Sequence, residues 1–240
     1  MKDTWRHFIA EFVCTFALVF IGGGTIITSP LVQSQATVLS VALAHGLILA
    51  LLVSATMNIS GGHLNPAVTT GFLVTRRIDP MMAVVYWIAQ FLGAIIAAYL
   101  LNALFPAAVA KMTLLGGQRI SADTSLLQAI GLEAIATFFL MFVIYGTAVD
   151  PRGPKLGGFA IGLTITADIL AIGPLTGGSM NPARSFGPAV VMRMFEGQTA
   201  YWIGPLLGAI VAALLYEKVL LRSASPITPS LAATEELPSA

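Results

Sequence analysis

The stretch that decides the fold is Gly61-Gly62-His63-Leu64-Asn65-Pro66-Ala67, because the chain contains it twice. It returns in the second half as Gly177-Gly178-Ser179-Met180-Asn181-Pro182-Ala183. In both copies an Asn, which is a favoured helix N-cap, precedes a Pro, which is favoured at the first helical position. Each copy therefore predicts a helix that begins directly after a glycine-rich extended segment.

The two helices that follow these segments are predicted to be short. They cover residues 66–73 and 182–192, and at 1.5 Å per residue each spans ~15 Å, about half of the hydrocarbon layer of a bilayer. Non-helical backbone at membrane depth is tolerated only where it is buried in protein or lines a water-filled cavity. Two half-helices that enter from opposite faces would meet at the midplane and act together as a seventh span.

The composition places the chain in a membrane. Of its 240 residues 57% are hydrophobic and only 10% are charged, whereas soluble domains are about 25% charged. The net charge of +1, without a basic stripe, excludes a nucleic-acid partner. The single cysteine, Cys14, excludes an internal disulfide and a thiolate metal cluster. We expect no cofactor, no metal and no enzyme site, since the three histidines stand on separate segments.

Six apolar stretches are long enough to cross the hydrocarbon layer, which takes about 20 helical residues. They cover residues 7–28, 37–57, 81–105, 126–149, 156–174 and 200–221. The predicted fold class is therefore an all-α membrane protein with six transmembrane helices and two re-entrant half-helices.

The internal repeat extends beyond the Asn-Pro-Ala segments. Glu11 with its following Thr-Phe pair recurs at Glu133, and Tyr86-Trp87-Ile88 recurs as Tyr201-Trp202-Ile203. Three spans in each half force the second half to enter from the opposite face, and such inverted repeats place a site at their interface. The predicted domains are a first repeat over 1–110, a second over 111–222 and a disordered cytoplasmic tail over 223–240.

The distribution of basic residues predicts the orientation, because cytoplasmic loops are enriched in Lys and Arg. With six spans both termini share a side, and that side carries Lys2, Arg6, Arg76, Arg77, Arg152, Lys155, Lys218 and Arg222. Both termini are therefore predicted to be cytoplasmic. The predicted location is the cell membrane, or the vacuolar or another internal membrane in a eukaryotic cell.

Through residues 60–69 and 181–189, the chain as far as about residue 222 resembles the aquaporin, or major intrinsic protein, family. The resemblance implies one pore per subunit and a homotetramer. It implies paired pore motifs at Asn65, Pro66, Ala67, Asn181, Pro182 and Ala183, and further lumen positions at Gly61, Gly62, His63, Gly177 and Ser179. Water would accept from the two Asn amides, and the positive ends of both half-helices would repel protons and cations.

The resemblance also implies an extracellular selectivity filter of His45, Ile169, Gly178 and Arg184. An arginine at membrane depth is costly and rarely structural. The most common water-specific pattern has Phe in place of His45 and His in place of Ile169. The present set is similar to that of plant tonoplast intrinsic proteins associated with ammonia as well as water. We therefore expect a passive water channel, with ammonia or other small neutral solutes as additional substrates.

Alternative functions are a glycerol or urea facilitator and, from a different class, a secondary transporter with inverted repeats. By resemblance, the glycerol branch would carry Asp directly after Arg184, where this chain has Ser185.

Three intramembrane acids need an explanation. Glu11 and Glu133 are expected to form a scaffold that accepts from backbone N–H groups of the re-entrant segments, with a proton relay as the alternative. Asp168, directly before Ile169, either bonds a neighbouring span or loop, offsets the charge of Arg184, or biases His45 toward protonation.

Overall fold

The computed structural model describes residues 3–31 and 38–221, and all regular secondary structure within these ranges is helical. The predicted tail over 223–240 lies outside the described residues. The helices are α1 (Thr4–Thr28), α2 (Val38–Thr56), α3 (Pro66–Val74), α4 (Pro80–Leu104), α5 (Ala107–Met112), α6 (Leu126–Ile144), α7 (Gly158–Thr176), α8 (Pro182–Met192) and α9 (Gln198–Leu215). Single π-helical turns, Tyr145–Val149 and Tyr216–Leu220, extend α6 and α9.

The prediction of six spans is confirmed: α1, α2, α4, α6, α7 and α9, with their terminal turns, are long and apolar enough to cross a membrane. Local capping sets several of the boundaries. Asp79 accepts from the backbone N–H of Met81 and starts α4 at Pro80. Ser125 starts α6 with a reciprocal capping box to Gln128. The chain is an integral, multi-pass membrane protein.

The helices bury small residues and turn large apolar ones outward, as α4 illustrates. Its buried face carries Ala83, Ala89, Ala94, Ala97 and Ala98. Its exposed large side chains include Ile88, Leu92 and Ile96. Small residues let helix backbones approach closely where lipid supplies no hydrophobic driving force. Accordingly α1 packs on α4, α6 on α9 and α2 on α7.

The half-helices α3 and α8 begin at Pro66 and Pro182, as the sequence predicts. The side chain of Asn65 accepts from the backbone N–H of Ala67 at 2.8 Å. The side chain of Asn181 accepts from that of Ala183 at 3.0 Å. Each half-helix packs against the last long helix of the other half, α3 on α9 and α8 on α4.

The two re-entrant segments are joined tip to tip by a reciprocal pair of hydrogen bonds. Asn65 Nδ2 donates to the carbonyl of Met180 at 2.7 Å. Asn181 Nδ2 donates to the carbonyl of Leu64 at 2.9 Å. An exchange in which each partner makes the same contact to the other is the signature of a two-fold relation. The pairing fixes both half-helix N-termini against one point at the centre of the bundle.

Glu11 holds the first re-entrant segment from behind. Its carboxylate accepts from the backbone N–H groups of His63 at 2.9 Å and Leu64 at 2.7 Å. It also accepts from the Ser60 hydroxyl at 2.7 Å and the Gln90 amide at 2.8 Å. A fully buried carboxylate is tolerated because these donors replace its hydration.

Glu133 holds the second segment in the same way. It accepts from the backbone N–H groups of Ser179 at 2.9 Å and Met180 at 2.6 Å, and from the Thr176 hydroxyl at 2.7 Å. Glu11 and Glu133 are both 0% exposed. Because loop donors occupy their oxygens, the geometry favours the scaffold over the proton relay.

Leu64 and Met180 adopt left-handed backbone conformations, with φ of 54° and 52°. This conformation costs about 1–2 kcal/mol for a residue with a Cβ. In each residue the N–H donates to a buried glutamate and the C=O accepts from the opposite Asn. Hydrogen bonds at both ends of the residue therefore hold the strained backbone in place.

Replacing either buried carboxylate by its amide should destabilise the protein. In Glu133→Gln one acceptor oxygen becomes an NH₂ donor that faces other donors, so we expect a loss of about 3 kcal/mol and a lower midpoint of thermal unfolding in detergent. Glu11→Gln should behave alike. Glu196→Gln, at an exposed position, is the control. Equal midpoints for Glu133→Gln and the control would contradict the scaffold role.

Candidate functional site

A narrow lumen runs through the centre of the bundle past the two Asn side chains. Its polar lining includes Asn65, Asn181, Gly62, His63, Gly178 and Ser179. Its apolar lining includes Leu18, Leu49, Val68, Leu140, Ile161 and Ile165. A lumen that combines a few hydrogen-bonding groups with apolar side chains holds a polar solute weakly and lets it move on.

His45 and Arg184 meet in this lumen. His45 Nδ1 lies 2.8 Å from the carbonyl of Val41, which can only accept, so Nδ1 carries the hydrogen. Arg184 Nη2 lies 2.8 Å from His45 Nε2 and can only donate, so Nε2 is the acceptor. The imidazole is therefore neutral. Both side chains are at least 96% buried, since His45 is 1% and Arg184 4% exposed.

Ile169 and Gly178 line the same lumen as His45 and Arg184. The four positions that the resemblance implies for the filter are thus together in the structure. Gly178 has a φ of +57°, and a Cβ built on it would lie 3.2 Å from Ile169 Cγ1. The side of the opening formed by Ile169 and Gly178 is therefore set by one branched side chain and bare glycine backbone.

Gln118 is a polar neighbour of Arg184 that the sequence reasoning missed. With its amide oriented by hydrogen bonding, its oxygen accepts from Arg184 Nη2 at 3.1 Å and also contacts Nη1. Gln118 is buried and lies in the irregular segment between α5 and α6. No local pattern marks it, because only the packing of that segment brings it to the guanidinium.

Gly177, which is also predicted to lie at the lumen, contacts Gln118. Its φ is +83°, and a Cβ there would lie 2.9 Å from Gln118 Cβ and 3.0 Å from Cγ. The side of Gly177 that a Cβ would occupy therefore packs against Gln118, and the residue ends α7 in a left-handed conformation. The adjacent Gly178 and Ser179 line the lumen.

His63 stands at the opposite mouth, in a vestibule that Gly61 and Gly62 also line. Its Nδ1 is 3.0 Å from the Thr69 hydroxyl, and its ring stacks on Phe72 with centroids 4.5 Å apart. The ring is thus fixed as part of the wall.

Arg77 and Arg152 tie the end of α9 to the loops at this mouth. Arg77 makes a two-bond contact with Glu217, at 2.6 and 3.1 Å. Arg152 bonds Asp150 at 2.6 Å and donates to the carbonyl of Leu220 at 3.0 Å. The Arg152 guanidinium holds the pKa of the Asp150 carboxyl well below its usual range, so this tie persists as the pH falls from neutral into the mildly acidic range.

Asp168 lies beside the filter without joining it. Its side chain is 9% exposed, and Oδ2 is buried without a hydrogen-bond partner among residues 3–31 and 38–221. The expected bond to a neighbouring span or loop is therefore not found in the described ranges. The lumen wall includes Ile169 but not Asp168, and both ring nitrogens of His45 are already engaged by other groups.

Comparisons with known proteins agree with this architecture. Residues 1–216 match the sequence model of the family described as Major intrinsic protein. The chain is 42% identical over 227 residues to "Aquaporin TIP1-2" of Zea mays, covering 91% of this chain and 87% of that protein. It is 41% identical over 230 residues to "Aquaporin TIP2-1" of Arabidopsis thaliana, covering 92% and 90%.

A solved structure shares the fold. The X-ray structure of the aquaglyceroporin from Plasmodium falciparum superimposes with a TM-score of 0.81 at 25% sequence identity, covering 90% of this chain and 97% of that chain. Family model, relatives and structure point the same way, and this chain belongs to the major intrinsic protein family.

Proposed function

We propose that this protein is a passive channel that conducts water in single file through each subunit and excludes protons and ions. It is a membrane channel of the aquaporin type and not an enzyme. The observation that carries the mechanism is the meeting of Asn65 and Asn181 in the lumen, at the joined N-termini of α3 and α8.

The two amides explain how water passes while a proton does not. Each Asn amide nitrogen carries two hydrogens, of which one is donated to the carbonyl of the opposite segment. The second hydrogen is available to a water molecule in the lumen. A water that accepts from both amides has its oxygen committed, so it cannot accept a proton from the next water in the file.

Electrostatics reinforces this barrier. Each half-helix N-terminus carries about half a positive charge, and both are directed at the same point. Arg184 adds a full charge at the filter, while His45 is neutral in the observed arrangement. Positive potential at two levels of one narrow lumen repels protons and other cations.

The filter supports ammonia, or another small neutral solute, as a second substrate. Arg184 directs Nη2 at His45 and Gln118, which draws part of the guanidinium to the wall. At the other two filter positions, Ile169 and Gly178 supply no polar ring. A glycerol or urea facilitator is less well supported, because the buried Ser185 donates to the carbonyl of Pro182 at 3.0 Å and supplies no carboxylate beside Arg184.

Assembly and orientation complete the proposal. Exposed apolar side chains such as Leu43, Leu47 and Leu51 on α2 supply surface for lipid or for other subunits of a homotetramer. The excess of basic residues on the side of the termini supports cytoplasmic termini.

Reconstituted vesicles test the function directly. Stopped-flow light scattering should show water permeability well above that of protein-free vesicles, without saturation and with low temperature dependence, and proton leak should stay at the lipid background. Ammonia, urea and glycerol fluxes are measured on the same preparation. Saturating, strongly temperature-dependent flux would indicate a carrier and overturn the channel.

Converting the filter to the common water-specific pattern should narrow the range of solutes. In His45→Phe/Ile169→His the polar ring moves from position 45 to the side of Ile169, and an apolar phenyl ring takes its former place. We expect ammonia permeability to fall by about tenfold relative to water permeability, a change of about 1.4 kcal/mol in barrier. The ratio is measured in one vesicle batch, with Ile165→Leu as a volume-conserving control on the same wall. An unchanged ratio would remove Ile169 and His45 from the filter.

Asp168→Asn should leave the pH dependence of water permeability unchanged. The substitution removes the carboxylate, and His45 keeps its bonds to Val41 and Arg184. Because a buried acid that has no partner for Oδ2 within residues 3–31 and 38–221 is replaced by a neutral amide of the same shape, the midpoint of thermal unfolding should not fall. A shifted pH profile would show instead that Asp168 biases the protonation of His45.

A further inference from the structure

Gly22 lies directly behind the filter histidine. It is a buried residue of α1, one helical turn beyond Leu18, and Leu18 lines the lumen. A Cβ built on Gly22 would overlap the His45 imidazole, at 2.5 Å from Cδ2, 2.7 Å from Cε1 and closer still to Nε2. The ring therefore rests on bare helix backbone.

The imidazole has little freedom to avoid such a contact. Nδ1 is bonded to Val41 on its own helix, and Nε2 accepts from Arg184. Nε2 is also the atom that a Cβ on Gly22 would approach most closely. Carbon atoms in contact prefer about 3.5–4.0 Å, so an added methyl would displace the ring by about 1 Å and compete with its bond to Arg184.

Helix α1 cannot relieve the contact by moving back. Gly23 faces away from His45, and a Cβ on it would already lie 2.8 Å from Leu101 Cδ1 and 3.1 Å from the carbonyl of Leu115. The backbone of α1 is therefore packed tightly on the side away from the lumen. We therefore expect the His45 ring, which borders the open lumen, to be displaced instead of α1.

We propose that Gly22 is a specificity-determining position of this channel: its bare backbone seats the His45 imidazole and thereby sets the width of the filter. The inference rests on the proposed role of His45 in the filter. Gly22 touches no solute and acts through His45 as a positioning residue. A side chain at this position narrows the opening and releases Arg184 from His45.

Gly22→Ala is the direct test. Water permeability per channel in vesicles should fall by about fivefold or more, as expected for an overpacked site that obstructs the path. Gly24→Ala adds the same methyl to the same helix, but its Cβ would lie 3.2 Å from Phe105 Cζ, away from the filter. This control should stay within about twofold of the unsubstituted protein.

The double variant separates a filter effect from a general packing effect. With His45→Ala the ring is gone, so adding Gly22→Ala should change water permeability by less than about twofold. An equal loss in both backgrounds would overturn the proposal. If Gly22→Ala fails to fold and Gly22→Ala/His45→Ala folds, the contact with His45 is the cause and the proposal holds. Failure of both would overturn it.

Nitrogen NMR of labelled histidine gives a readout that does not depend on transport. The His45 signal is assigned by its loss in His45→Ala. In Gly22→Ala its Nε2 resonance should shift as the bond from Arg184 weakens, and in Gly24→Ala it should not. An unshifted resonance in Gly22→Ala would overturn the proposal. Absent water flux in the unsubstituted protein would refute the proposed function instead, and the NMR result would still decide the contact.

Discussion

Two stretches of non-helical backbone meet at the centre of this membrane protein, and every polar group in them needs a partner. No bulk water is present at that depth, and an unpaired backbone group costs several kcal/mol. The four most critical groups are the N–H and C=O of Leu64 and Met180. Buried glutamates take the N–H groups, and the Asn of the opposite segment takes each C=O. The rest of the structure depends on this exchange.

This exchange of hydrogen bonds sets both the start of each half-helix and the junction between the two re-entrant segments. Because each Asn caps its own half-helix with its oxygen and binds the opposite segment with its nitrogen, one side chain sets the helix start and the junction together. The second hydrogen of each amide is then directed by a rigid frame and not by a flexible side chain. In the proposed mechanism, the orientation of the water file therefore follows from the same bonds that satisfy the backbone.

The sequence predicts the parts that repeat and misses those that arise from single contacts. Spans, half-helices, caps and both glutamates follow from motifs that occur twice, and the structure places them close to the expected boundaries. Gln118 carries no local signal, since an irregular segment brings it to Arg184 only in the folded chain. The contact between Gly177 and Gln118 has no local signal for the same reason, because the left-handed turn at Gly177 meets the irregular segment only in the folded chain.

The proposed function depends on a difference between the two otherwise similar halves of the chain. The frame gives both halves the same glutamate and the same Asn-Pro-Ala, but α8 carries Arg184 where α3 carries Val68. A buried guanidinium needs acceptors, and the structure supplies neutral ones, His45 Nε2 and the Gln118 oxygen. A carboxylate in their place would cancel the charge that repels cations. Neutral acceptors hold the arginine against the wall and leave its full positive charge in the lumen, so in the proposed mechanism the same contacts provide both positioning and cation exclusion.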